Sequence, residues 1–133
     1  MRAKVAWKNE MVFDGLSHIN HAISLDGDAA HQHGASPMEV VLMALCGCTA
    51  IDVVSILRKK REPFTGLTVS AEAEQAAEPP KVFTRIKLVY HVTGAVSHKA
   101  MEDAVHLSET KYCSVAAMLT HTAAIDYSIE YSG

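Results

Sequence analysis

The side chains best suited to covalent chemistry here are three cysteines, Cys46, Cys48 and Cys113. The first two flank Gly47 in "ALCGCTAID", residues 44 to 52, within a strongly apolar stretch. If the stretch is a helix, residues i and i+2 point about 200° apart, so Cys46 and Cys48 cannot bridge to each other. An intrachain partner for either must then be Cys113, which follows "SETKY" where one helix is expected to end and another to begin. A thiol at a helix N-terminus has its thiolate stabilised by free N–H groups, so activation of Cys113 by that route is expected. The bland alternative is that all three are small core residues, since free cysteine is among the most buried residue types.

A second reading is a metal site. His31 and His33, with Cys46 and Cys48, are ligand types that zinc accepts. Their spacing fits no standard zinc pattern, and two thiols on opposite helix faces cannot share one ion. The eight histidines are scattered and form no HExxH arrangement. No Gly-rich phosphate loop and no Ser/His/Asp signature stands out, so neither a metal nor another cofactor is expected.

The elements that must carry these thiols follow from hydrophobic patterning. "AKVAWK", "MVFDG" and "HINHAISL" read as short strands, with a turn at Asp26-Gly27 and an aperiodic loop over 28–35. "SPME" is a helix start: Ser36 as N-cap, Pro37 at the first helical position and Glu39 placed for a capping box. The following residues are apolar nearly all round up to Ile51, so neighbours must bury this helix on several sides. Arg58 to Arg61 complement the negative end of the helix dipole, and Pro63 limits continuation. Such a helix of about 25 residues would run about 37 Å. "LTVSAEAEQ" and "VFTRIKLVYHVTG" alternate as strands, and Met101, Ala104, Val105, Ser108 and Tyr112 recur at helical spacing. "CSVAAMLTHTA" suggests a further short helix, and Ile125, Tyr127, Ile129 and Tyr131 a last strand. The order βββ-α-ββ-α-α-β indicates a single α+β domain over 1–133 with largely antiparallel pairing.

Composition narrows the partners. With 133 residues, 49% apolar and 20% charged, the chain holds enough material for one sizeable core. A net charge of -3 gives no hint of a nucleic-acid partner. The uninterrupted apolar run from Val40 to Cys48 is far short of the roughly 18 residues of a membrane span, and the first residues lack a secretory h-region. A cytoplasmic location is therefore expected, with no membrane partner. An odd number of cysteines there argues for reduced or reactive thiols rather than a disulfide framework.

The stretch "SPMEVVLMALCGCTAIDVVSILRKKR" and, from residue 111, "KYCSVAAML" resemble the OsmC/Ohr family of osmotically inducible protein C and the organic hydroperoxide resistance proteins. The resemblance covers essentially the whole chain. It implies an intertwined homodimer in which the sheets of both subunits wrap each central helix. It also implies reduction of organic hydroperoxides through two cysteines, by position Cys48 and Cys113. The spacing from the motif proline, Pro37, selects Cys48 over Cys46. The family's reductases place a glutamate directly after that proline; here Met38 stands there, and Glu39, one residue on, is the carboxylate candidate for the catalytic set. They also hold the thiolate with an arginine from the N-terminal region, where this chain has only Arg2 before residue 58.

The resulting expectation is a dimeric thiol-dependent redox protein. Cys48 would become a sulfenic acid on meeting a hydroperoxide, Cys113 would close a disulfide, and an external dithiol would restore both. The alternative is a non-catalytic dimeric module holding an apolar ligand at its interface. Carboxylates raise a thiol pKa, so Glu39 and Asp52 are expected only to orient a cation or take a proton. His31 or His33 is the candidate replacement for the arginine beside Cys48, set against the commoner reading of a solvated loop with two exposed histidines.

Overall fold

A computed structural model describes all residues, 1–133, as six strands and three α-helices. The strands are β1 (Ala3–Asn9), β2 (Val12–Ser17), β3 (Ala22–Asp26), β4 (Phe64–Gln75), β5 (Phe83–Gly94) and β6 (Ala124–Ser132). The helices are α1 (Pro37–Lys59), α2 (His98–Leu107) and α3 (Ser114–Leu119), with a π-helical turn, Ser108–Tyr112, between the last two. The result is the expected α+β fold. Its packing falls into two compact units, Met1–Leu42 and Met43–Gly133.

In the first unit β1, β2 and β3 form an antiparallel meander. Every residue of β1 is exposed, including Trp7 at 66%, so this sheet buries little of its own apolar surface. The loop after β3 is organised by Asp26, the one buried residue of the sheet. Its Oδ1 accepts from the Asp28 N–H at 2.9 Å and its Oδ2 from the His33 N–H at 3.1 Å. The start of α1 is closed by the expected capping box. The Ser36 N–H donates to Glu39 Oε1 at 3.0 Å, and the Glu39 N–H donates to Ser36 Oγ at 3.2 Å.

In the second unit β5 is the central strand of the order β4-β5-β6. Alternate residues Ile86, Leu88, Tyr90 and Val92 are fully or almost fully buried, as the sequence alternation requires. They share the core with Leu45, Val53 and Leu57 of α1 and with Ala100, Met101, Ala104 and Val105 of α2. The β4–β5 pair is antiparallel, but β6 runs parallel to β5. A parallel pair needs a crossover rather than a hairpin. Here the crossover is α2, the π-helical turn and α3, and it carries Cys113.

The 23 residues of α1 bury only Leu45, Thr49, Val53 and Leu57, one stripe at i, i+4 spacing. Met43 and Ile51 stay 54% and 72% exposed. By length and composition alone the whole of α1 would suffice to cross a membrane, although its uninterrupted apolar run, Val40 to Cys48, is much shorter. Glu39, Thr49 and Asp52 interrupt the run without lowering its average much.

The Asp26 carboxyl is held below its usual range, chiefly by the Asp28 N–H and further by His33 and His31. Its stabilising effect is therefore present above the unfolded-state value near 3.9 and is lost as pH falls through the lower folded value. Asparagine offers one acceptor oxygen where aspartate offers two. Asp26→Asn is expected to lower the hydrogen-exchange protection factor at Asp28 or His33, and acidifying the wild type through the Asp26 titration should lower it at both.

Candidate functional site

Cys48 and Cys113 reach the same place from two elements. Cys48 lies on α1, half-buried, one residue before the fully buried Thr49. Cys113 ends the π-helical turn, where its N–H donates to the Ser108 carbonyl at 2.8 Å, the i to i−5 bond of that geometry. It is also the N-cap of α3, its Sγ accepting from the Ala116 N–H at 3.3 Å. Cys48 is near enough to push the Cys113 thiol up, through hydrogen bonding and through its charge. Both are free. Helical geometry turns Cys46 about 200° away from Cys48, and burial pushes its thiol up.

The electrostatics of Cys113 correct one sequence expectation. A position at a helix N-terminus was expected to favour its thiolate, yet the thiol is pushed up to about 12. Burial is the largest cause, and it outweighs the Ala116 N–H that favours the thiolate. The Cys48 hydrogen bond, the Cys48 charge and the Glu109 charge all push the same way as burial. No cation is among the groups acting on it. Cys113 is thus held as a neutral thiol through the physiological range.

Beside the dithiol runs a series of oxygens that sequence reading did not assemble. Ser108 O–H donates to Asp52 Oδ2 at 2.8 Å, and Tyr90 O–H donates to Glu109 Oε1 at 2.6 Å. Between them Thr49 Oγ1 lies 2.7 Å from Tyr90 Oη and 2.7 Å from Ser108 Oγ. Burial raises the Glu109 carboxyl above its usual range, partly offset by the Tyr90 hydrogen bond. Burial first, and the Glu109 hydrogen bond second, raise the Tyr90 phenol. A signal for this cluster existed. Thr49, Tyr90 and Ser108 each stand on an apolar stripe, and buried hydroxyls need partners.

Glu39, His31 and His33 belong to the first unit. Glu39 is exposed and its carboxyl is lowered by the Ser36 N–H and hydroxyl, which is the signature of its capping role. Met38 is half-buried beside it. The His31 ring Nδ1 is 2.7 Å from the Asp26 carbonyl oxygen, and the His33 backbone is held by the Asp26 carboxylate. Both histidines are exposed and organise the β3–α1 loop. Asp52 orients the Ser108 hydroxyl rather than a cation. No three His, Cys, Asp or Glu side chains come together as a metal-ligand set.

Comparison with known proteins gives this geometry a context. A family model described as OsmC-like protein matches residues 26–128. Protein YhfA of Escherichia coli K12 is 44% identical over 131 residues, covering 98% of this chain and 97% of that protein. A crystal structure of a hypothetical protein from Aquifex aeolicus VF5 superposes with a TM-score of 0.84 at 29% identity, covering 98% of this chain and 96% of that one. The organic hydroperoxide resistance protein OhrB of Bacillus subtilis shares the fold with a TM-score of 0.66 at 12% identity, covering 98% of each chain.

The burial of Cys113 makes a direct prediction. In a Cys46→Ala, Cys48→Ser variant, iodoacetamide is expected to modify Cys113 very slowly at pH 7, with the rate still climbing at pH 10. Replacing the Cys48 thiol takes away its charge as a cause of the high value and leaves burial, the largest one. A rate levelling off near neutral pH would show that the helix N-terminus dominates after all.

Proposed function

We propose that this chain, which belongs to the OsmC-like protein family, is a dithiol redox protein that reduces organic hydroperoxides. The family includes redox and hydroperoxide-resistance proteins. The observation that carries the reading is that Cys48 on α1 and Cys113, between the π-helical turn and α3, are free thiols, with Cys48 near enough to push the Cys113 thiol up. Cys113 stays protonated and waits, and Cys48, at the family's motif position on α1, is the attacking thiol. Its thiolate attacks the hydroperoxide and becomes a sulfenic acid; Cys113 then displaces hydroxide to form the disulfide, and an external dithiol reduces it by exchange.

A second reading, a module that binds an apolar ligand, draws on the open groove lined by Ala50, Ile51 and Val54 of α1. Thiol titration before and after one equivalent of an organic hydroperoxide separates the two. The redox reading expects two thiols lost in wild type. Cys48→Ser should lose hydroperoxide consumption entirely, Cys113→Ser should leave a sulfenic acid open to overoxidation, and Cys46→Ala should stay near wild type. An unchanged thiol count in wild type would favour the binding module.

The working form is a homodimer in this proposal. The α1 face carrying Met43 and Ile51, and the exposed Val5, Trp7 and Ile23 of the first sheet, are apolar surface left uncovered within one chain. A side chain added at Gly47 would meet nothing within 4 Å in the chain. Ile51→Asp is expected to shift the sedimenting species from dimer to monomer or aggregate at micromolar concentration. A wild type that sediments as a folded monomer would refute the dimer.

A further inference from the structure

Four oxygen–oxygen contacts run in series through the second unit: Asp52 to Ser108, Ser108 to Thr49, Thr49 to Tyr90, and Tyr90 to Glu109. Their lengths are 2.8, 2.7, 2.7 and 2.6 Å. Contacts this short each need one hydrogen between the two oxygens. Serine, threonine and tyrosine contribute one hydroxyl hydrogen apiece, which makes three. With both terminal carboxyls ionised, the outer hydroxyls point at the carboxylates and Thr49 can serve only one of its two neighbours. One buried pair of oxygens would then face each other bare, an arrangement that costs free energy. A fourth proton on one terminal carboxyl removes the conflict: that carboxyl then donates to its neighbouring hydroxyl instead of accepting from it, and all four hydrogen bonds point the same way.

We propose that the series holds this fourth proton on Glu109, that Glu109 hands it to the reacting groups at the Cys48–Cys113 pair, and that Asp52 is the end through which it is replaced. The delivery step rests on the dithiol reading; the stored proton does not.

The two ends differ in setting. Glu109 is half-buried, and burial favours its neutral form. The groups that face it are Tyr90 from β5, Cys113 from the end of its own turn and, through Cys113, Cys48 from α1. None is a cation, and no salt bridge reaches it. Asp52 instead lines an open groove with Ser55, Lys59 and Tyr112, through which water reaches it. The proton therefore rests on Glu109, and the other end of the series opens on solvent.

The chemistry balances with this proton in place. Cys48 releases its own proton to solvent, and the thiolate attacks the distal oxygen of R–O–OH. The S–O bond forms, the O–O bond breaks, and the leaving alkoxide takes the Glu109 proton to become an alcohol. The Glu109 carboxylate then accepts the Cys113 proton. The Cys113 thiolate attacks the sulfenic sulfur, the S–S bond forms, and the departing hydroxide takes that proton to become water. Glu109 is recharged by four short transfers: Tyr90 to Glu109, Thr49 to Tyr90, Ser108 to Thr49, and Asp52 to Ser108. Asp52 draws its proton from water in the groove, matching the one Cys48 released. Two thiols and a hydroperoxide become a disulfide, an alcohol and water.

The test reads the proton directly and then its delivery. Infrared spectra of the full-length protein at pH 7 should show a protonated-carboxyl C=O band that shifts in D2O. The band should vanish in Glu109→Gln, whose amide N–H can still donate to Tyr90 Oη and keep the fold. In single-turnover oxidation by cumene hydroperoxide, Glu109→Gln should be slower by on the order of 100-fold, the lower end of general acid–base contributions. The wild-type rate should fall at the pH where the band disappears. Thr49→Val should lower that pH, and Thr49→Ser should restore it. Absence of the band in wild type would overturn the stored proton. A wild-type band with Glu109→Gln reacting at the wild-type rate would overturn the delivery. No oxidation of wild type by any hydroperoxide would remove the dithiol reading and the delivery together, while the band still decides the stored proton.

Discussion

One hydroxyl, that of Thr49, ties together the parts of the second unit that matter. Its oxygen is fully buried and touches Tyr90 on the central strand and Ser108 on the crossover, while its backbone belongs to α1. The residue before it is Cys48. A buried polar group left without partners costs about 1–3 kcal/mol, so the two contacts fix where α1 sits against β5 and the π-helical turn. They also fix where Cys48 points relative to Cys113, because Ser108 begins the turn that Cys113 ends.

The π-helical turn is the second half of that constraint. It bonds Cys113 N–H back to Ser108 and lets α3 begin with Cys113 as its cap. Regular α-helix through Ser108–Tyr112 would bond the Cys113 N–H to Glu109 rather than Ser108 and rotate Cys113 relative to Ser108 by close to the turn of one residue, about 100°. The turn thus allows Ser108 to meet Thr49, Glu109 to meet Tyr90, and Cys113 to meet Cys48 at the same time. Single π-helical turns of this kind are frequent at functional sites.

The acidity of the dithiol is decided by competing magnitudes. A helix terminus contributes about 0.3–1 kcal/mol, less than a tenfold change in an ionisation constant. Burial of Cys113, reinforced by Cys48 and Glu109, carries it from an ordinary 9.0 to about 12. The larger effect wins, and the consequence is a division of labour rather than two equivalent thiols. The carboxylate that would otherwise only suppress a thiolate becomes useful if it carries a proton, since a neutral Glu109 repels no charge.

Much of this was written in local patterns. The capping box at Ser36 and Glu39, the alternation of Ile86, Leu88, Tyr90 and Val92, and the apolar helix between them follow from periodicity and turn chemistry alone. So did the divergence of Cys46 and Cys48, which needs only 100° per residue. Three things lay beyond the sequence. The parallel pairing of β6 depends on a crossover whose handedness and length no single strand encodes. The π-helical turn differs from α-helix by one residue of hydrogen-bond register, which composition does not reveal. The series from Asp52 to Glu109 joins α1, β5 and the crossover, up to 59 positions apart for one contact, Thr49 to Ser108. The sequence by itself determined that Thr49, Tyr90 and Ser108 stand on buried faces and must find partners. Only the tertiary structure decided that they find one another, because a hydroxyl's partner is set by which element packs against it.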